Sequence, residues 1–207
     1  MTLRELIWPV LEPLNAATVA QEAAQTRQDL EAIQGAAVTE DAELLVEEAR
    51  RLSDAEEDRR KTAETRANTY LAAAGVLMPV LAVFTPAAVG ADKDFVRTLV
   101  TLALFIAAGA YLFWSGRWAF RCLEVGVSAR LDAVDLIAAW AKPDRKAELV
   151  RGLLKCVRLN RKLVNFKIDC VKRAHAFAVR AFAIFVLAGV TRFAWEPVAA
   201  LLKAILT

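Results

Sequence analysis

Histidine occurs once in the 207 residues, at His175, and the three cysteines, Cys122, Cys156 and Cys170, lack the spacing of metal ligands. There is no glycine-rich phosphate loop, no HExxH and no nucleophile elbow, which removes the usual bases of metal, phosphoryl-transfer and acyl-transfer chemistry. The chain is therefore expected to be no enzyme and to hold neither metal nor cofactor. Cys156 and Cys170 fall on one helical side and read as small packing residues. His175 reads as a residue at a membrane boundary, with proton sensing as its functional alternative. Glycine is scarce, at eight residues, and neither an alternating strand pattern nor an internal repeat is present. At the N-terminus, Glu5, Pro9, Glu12 and Pro13 interrupt the clean apolar run that a cleaved signal needs, so none is expected.

Charge is missing from two long stretches. "RANTYLAAAGVLMPVLAVFTPAAVGADKD" has no charged residue between Ala67 and Ala91, and "TLVTLALFIAAGAYLFWSG" follows over 98–116. A hydrocarbon core about 30 Å thick is crossed by about 20 apolar residues at helical rise, so these predict a membrane hairpin. A third run, 174–195, is long enough to cross but contains Arg180 and Arg192. An arginine at mid-bilayer costs about 2.5–3.5 kcal/mol, and less near an interface where it can snorkel. Three crossings are expected, with a re-entrant hairpin turning at Glu196 and Pro197 as the alternative. Basic residues flank the outer ends of the hairpin, which places the N-terminus and the chain after Gly116 on the cytoplasmic side. Arg66, Arg117, Arg121, Lys172, Arg173 and Arg180 are the predicted interface residues. Ala72–Gly75 and Ala107–Ala110 are expected to let the two spans approach closely.

Outside the spans the pattern remains helical. A helix near 15–34 has Gly35 as its stop. Another is capped by Thr39 and runs into the first span, with Glu47/Arg51, Glu56/Arg60 and Glu57/Lys61 as i,i+4 pairs. Ser53 and Glu56 form a capping-box pattern that would restart it. Phe120, Leu123, Val127, Leu131, Val134, Ala138 and Ala141 recur at three or four, predicting that the second span continues to Ala141, with Asp132 and Asp135 on its solvated face. Lys142, Pro143 and Asp144 break it. The next helix carries Val150, Leu153, Val157, Val164, Ile168 and Val171 at near-heptad spacing, with Asn160 inside the stripe fixing register. The predicted fold is all-α, a membrane protein of two to three transmembrane helices continuous with a cytoplasmic helical stalk bundle. Its divisions are 1–66, 67–116, 117–175 and 176–207.

The charge is unevenly spread: residues 1–66 hold 15 acidic and 8 basic side chains, whereas 142–173 hold 11 basic and 3 acidic. Three readings follow. The acidic helices neutralise the basic one, anionic lipid attracts its membrane-proximal end, or a phosphate-rich ligand docks on Lys155, Arg158, Arg161, Lys162 and Lys167. The first and third combine, because an acidic helix over a basic groove is a cover that a polyanion can displace or reinforce. The spans lack the buried acids of a proton relay or substrate counter-ion, which argues against a secondary transporter. Thr85, Thr101 and small apolar residues are the candidate pore lining, and Pro79 the candidate kink or gate. Three thin helices cannot enclose a path, so conduction requires a homo-oligomer.

The segment "EEDRRKTAETRANTYLAAAG", the hairpin and the amphipathic helix after it resemble, in layout over about 54–141, the SLATT-type two-transmembrane effectors of bacterial anti-phage defence, and also the channel effector of Hailong systems. The resemblance implies an oligomeric channel of the bacterial inner membrane. It would be gated by a nucleotide or short oligonucleotide made by a partner enzyme, leaking ions and arresting growth. A non-conducting membrane anchor or scaffold that recruits a protein partner is the alternative.

Overall fold

The computed structural model describes residues 16–36, 42–90, 95–124, 126 and 128–193. Thr39, Trp195 and the Glu196–Pro197 turn lie outside them. The described residues form five helices and no strand: α1 (Ala16–Gly35), α2 (Ala42–Gly90), α3 (Phe95–Leu123), α4 (Ala133–Trp140) and α5 (Arg145–Phe193). Of these, α2, α3 and α5 are long and apolar enough to cross a membrane. The protein is thus all-α with three candidate spans, and the third apolar run, as far as Phe193, is part of one uninterrupted helix. It divides into two compact units, one drawn from Met1–Thr65 and Glu124–Asp169, the other from Arg66–Leu123 and Cys170–Thr207.

Seven-residue spacing governs burial on all three long helices. On α3 the buried positions Thr101, Phe105, Ala108, Leu112, Ser115, Ala119 and Cys122 alternate in steps of four and three, a coiled-coil seam. On α2 the buried residues Ala49, Glu56 and Ala63 recur every seven, as do Ala67, Ala74 and Leu81. On α5 the row is Lys167, Ala174, Ala181 and Ala188, all buried.

In the first unit the charged half of α2 passes Ser53 without restarting. Arg51 closes on Glu48 at 2.8 Å, Arg59 on Glu56 at 2.7 Å and Arg60 on Glu57 at 2.8 Å, one step nearer than the expected i,i+4 pairs. Glu57 and Lys61 do pair at i,i+4, at 3.8 Å. Such pairs contribute only about 0.2–0.5 kcal/mol each.

The expected continuation of the second span to Ala141 is not what the chain does, since α3 stops at Leu123 and the next helix begins at Ala133. Between them the backbone lies against α5. Gly126 passes so close that an added Cβ would sit 2.5 Å from the Leu163 side chain. The Asn160 side chain then donates to the Ala129 carbonyl and accepts from the Ala129 N–H, both at 2.8 Å, taking two groups that a helix would need for itself. Asn160 therefore does more than fix register: it clamps a non-helical segment. Asp132 and Asp135 are not simply a solvated face either. Asp132 accepts from the Asp135 N–H at 2.9 Å and Asp135 accepts from the Asp132 N–H at 3.2 Å, a reciprocal capping box that starts α4.

In the second unit Ala74, Leu81, Phe105, Leu112, Ala181 and Ala188 form the core, with Leu104 and Tyr111 packed against it. Alanines on α2 and α5 bring those backbones in against the larger α3 side chains. The close approach at Ala74 is to Gly116, where an added Cβ would lie 3.4 Å from the Ala74 Cβ, rather than to the expected Ala107–Ala110. The buried Ser115 hydroxyl donates to the Ala174 carbonyl at 2.8 Å, and Tyr70 shares a 2.8 Å hydrogen bond with His175 Nδ1.

Candidate functional site

A cleft of about 360 Å³ opens in the first unit between residues 53–60 of α2, the clamped segment 128–131 and residues 153–164 of α5. That volume falls in the range of small-molecule sites. Its polar wall carries Asp54, Glu56, Glu57, Arg60, Arg130 and Asn160. Glu56 is only 9% exposed. One of its oxygens accepts from Arg59, while Oε1 is buried with no hydrogen-bond partner. Arg60 donates to Glu57, while its buried Nε makes no hydrogen bond and faces Glu64 only at 3.8 Å. Arg130 reaches Glu57 at 3.2 Å from the other side. Cys156 lines the same cleft, and burial, with the Asp135 charge adding to it, raises its thiol above the usual cysteine value. It is a neutral thiol at pH 7, suited to packing rather than attack.

The five residues expected to bind a polyanion divide into two groups. Lys155, Arg161 and Lys162 are exposed on α5. Arg158 and Lys167 do not stand open to solvent as that expectation required. Arg158 Nε bonds Asp29 of α1 at 2.6 Å. Lys167 is 4% exposed and its ammonium meets Glu64 of α2 at 3.0 Å. Lys167 shares the seven-residue row of Ala174 and Ala181, which is why it is buried. Further along α5, Lys146 pairs with Glu43, and Arg151 donates to the Ala36 carbonyl at 2.8 Å. Acidic α1 and α2 thus neutralise part of the basic helix from two sides. The Lys146 bond and charge hold the Glu43 carboxyl below the usual range. Glu148 is lowered too, first by its hydrogen bond to Lys142 and, against the cost of burial, by Arg151.

The residues read as pore or gate lie on α2 and α3 in different surroundings. Pro79 is exposed on α2, and the helix continues through it. Thr85 turns its hydroxyl onto the Leu81 carbonyl at 2.6 Å. Thr101 is 1% exposed in the α3 seam, with its hydroxyl oxygen unpartnered. A smaller apolar cavity of about 140 Å³ lies in this unit among Tyr70, Leu77, Leu112, Ser115, Ala181 and Phe185.

Of the expected interface residues, Arg66, Arg117, Arg121 and Lys172 are exposed and Arg173 and Arg180 half-buried. Arg180 donates to the Ala176 carbonyl at 2.9 Å, one turn back along its helix. Arg117 stacks over Trp114, while Arg121 and Arg173 both stack over Trp118. Among the residues that carry these sites, Asp29 and Trp118 were not singled out by sequence reasoning, and Glu56 only as a helix pair and cap. Asp29 and Glu56 are ordinary acids in an acidic stretch. The signal for Trp118 was its place four residues after Trp114, at the end of an apolar run.

Compared with protein-family models, curated proteins and solved structures, the chain matches none.

Proposed function

We propose that the chain is the subunit of an oligomeric membrane channel of bacterial anti-phage defence, gated by a phosphate-rich ligand, a nucleotide or short oligonucleotide, that competes with its own acidic helices for the basic face of α5. The observation that carries this reading is the set of ion pairs Asp29–Arg158, Glu64–Lys167 and Glu43–Lys146, made by α1 and α2 onto α5. Both α2 and α5 continue without a break into apolar segments long enough to span. A polyanion held first by the exposed Lys155, Arg161 and Lys162 would draw Arg158 away from Asp29 and change the grip of the acidic helices. The inner membrane of a bacterium, with the charged unit in the cytoplasm, is the setting this function requires.

Ion flux from liposomes carrying the full chain tests the reading. Flux should change when an oligonucleotide is added, and the pair Arg158→Glu with Lys162→Glu should abolish that response. Protein that passes no ions with any nucleotide would retire the channel. One observation favours a second reading, a non-conducting anchor: α4 leaves Val134, Ile137 and Trp140 at 71%, 71% and 64% exposure, an apolar face suited to a protein partner.

A further inference from the structure

We infer that the second unit holds a specific site for the phosphate of an anionic phospholipid, built by Arg121 and Arg173 around the indole of Trp118. The Arg121 guanidinium lies 5.2 Å from the Trp118 ring centre and that of Arg173 lies 4.3 Å from it. One aromatic ring therefore collects two cations, and Arg117 over Trp114 adds a third one turn away, at 5.3 Å. Cation–π attraction accounts for each contact singly. Two guanidiniums gathered by one ring also repel each other, and a nearby anion would relieve that.

Among the unit's described residues, 66–90, 95–123 and 170–193, there is no aspartate or glutamate against eight arginines and lysines; the nearest described acids along the chain are Glu124 and Asp169, at the border of the first unit. Arg173 Nε is buried and has no hydrogen-bond partner. A phosphate oxygen is the acceptor that planar guanidiniums fit best, two donors to a group. The acyl chains also have a place. Phe113 and Phe120 on α3 are 56% and 58% exposed, and Phe113 and Phe177 pack edge and face on Trp114. Tryptophan with exposed aromatics at the end of an apolar helix marks the headgroup level of a bilayer. A lipid satisfies both demands at once, whereas free phosphate satisfies only the first.

The inference rests on the membrane reading and is independent of gating. Native mass spectrometry of the full chain, released from detergent in mixed phosphatidylglycerol and phosphatidylcholine, tests it. The wild type should retain phosphatidylglycerol preferentially. Arg121→Gln and Arg173→Gln should each cut that retention about five-fold, while Arg51→Gln in the other unit leaves it unchanged. The Arg121→Lys, Arg173→Lys variant, which keeps charge but loses the stacked fork, should fall between and guards against simple misfolding of the glutamine forms. Equal retention of the two lipids, or glutamine variants that match the wild type, would overturn the site. Displacement of phosphatidylglycerol by millimolar inorganic phosphate would overturn the lipid as its occupant. Recovery of the chain in water without detergent would instead remove the membrane reading.

Discussion

The two units use the same seven-residue packing rule and fill it with opposite chemistry. In the second, the seam of α3 holds Phe105, Ala108, Leu112, Ser115 and Ala119, and α5 answers with Ala174, Ala181 and Ala188. In the first, the α5 row reaches Lys167, and the α2 row of Ala49 and Ala63 holds Glu56. The difference lies in what satisfies a polar group. Lys167 has Glu64, and Asn160 has both backbone groups of Ala129. A carboxylate placed in the core of Ala74, Leu81, Phe105 and Leu112 would have apolar neighbours and, in lipid, no water. Heptad spacing alone thus fixes which residues face inward, while the surrounding solvent decides which chemistry those positions tolerate.

The sharpest way to break this contrast is at Asn160. Replacing it with leucine keeps the volume but strips both hydrogen bonds from Ala129, leaving a half-buried N–H and C=O. An unmatched buried group costs about 1–3 kcal/mol, so Asn160→Leu should destabilise the first unit by about 3 kcal/mol. Hydrogen exchange over 128–131 should rise sharply, with exchange in α3 unchanged; protection equal to wild type would mean the clamp contributes nothing.

At the next level the Lys167–Glu64 pair separates two ideas of a buried charge. Lys167→Met should change stability by less than about 1 kcal/mol, because a methionine fits the alanine-rich row. Glu64→Ala removes the carboxylate that meets the buried ammonium and should cost about 2 kcal/mol, reduced from the fully buried case because Glu64 is a third exposed. Equal losses from the two, read by thermal unfolding, would show that the pair itself stabilises. The counterpart in the apolar unit is milder: Ser115→Ala removes the bond to the Ala174 carbonyl and should cost about 1 kcal/mol.

Much of this contrast was legible in the residues. Uncharged runs long enough to span name the apolar helices, since length alone decides, and Gly35 ended α1 where its composition said it would. The stretch 120–141 was misread because its apolar residues keep helical spacing through a region where Gly126 and Asn160 impose another path. The Asp132/Asp135 box that restarts the chain was present in the sequence, read only as two acids. The basic helix shows the other limit. Counting charges finds the excess on 142–173, but only the registry of Lys167 with Ala174 and Ala181 shows that it points inward. The cleft has no sequence signature, because Glu56, Ala129 and Asn160 come from three separate segments.

The smallest expected effect concerns acid, and it compares the units directly. Glu43 and Glu148 have carboxyls held below the ordinary range by Lys146, and by Lys142 with Arg151. A depressed folded value means the contribution is fully present above the unfolded carboxyl range, near 4.5, and is lost as pH falls through the folded value. Lowering pH from 6 to 3 should therefore loosen the first turns of α2 and α5, where these pairs sit. The described residues of the apolar unit carry no carboxylate to protonate. Amide exchange corrected for its intrinsic pH dependence should accordingly rise over 42–48 and 145–151 and stay flat over 98–119. A parallel rise in both would mean that acid acts on the whole chain and that the surface pairs hold nothing of their own.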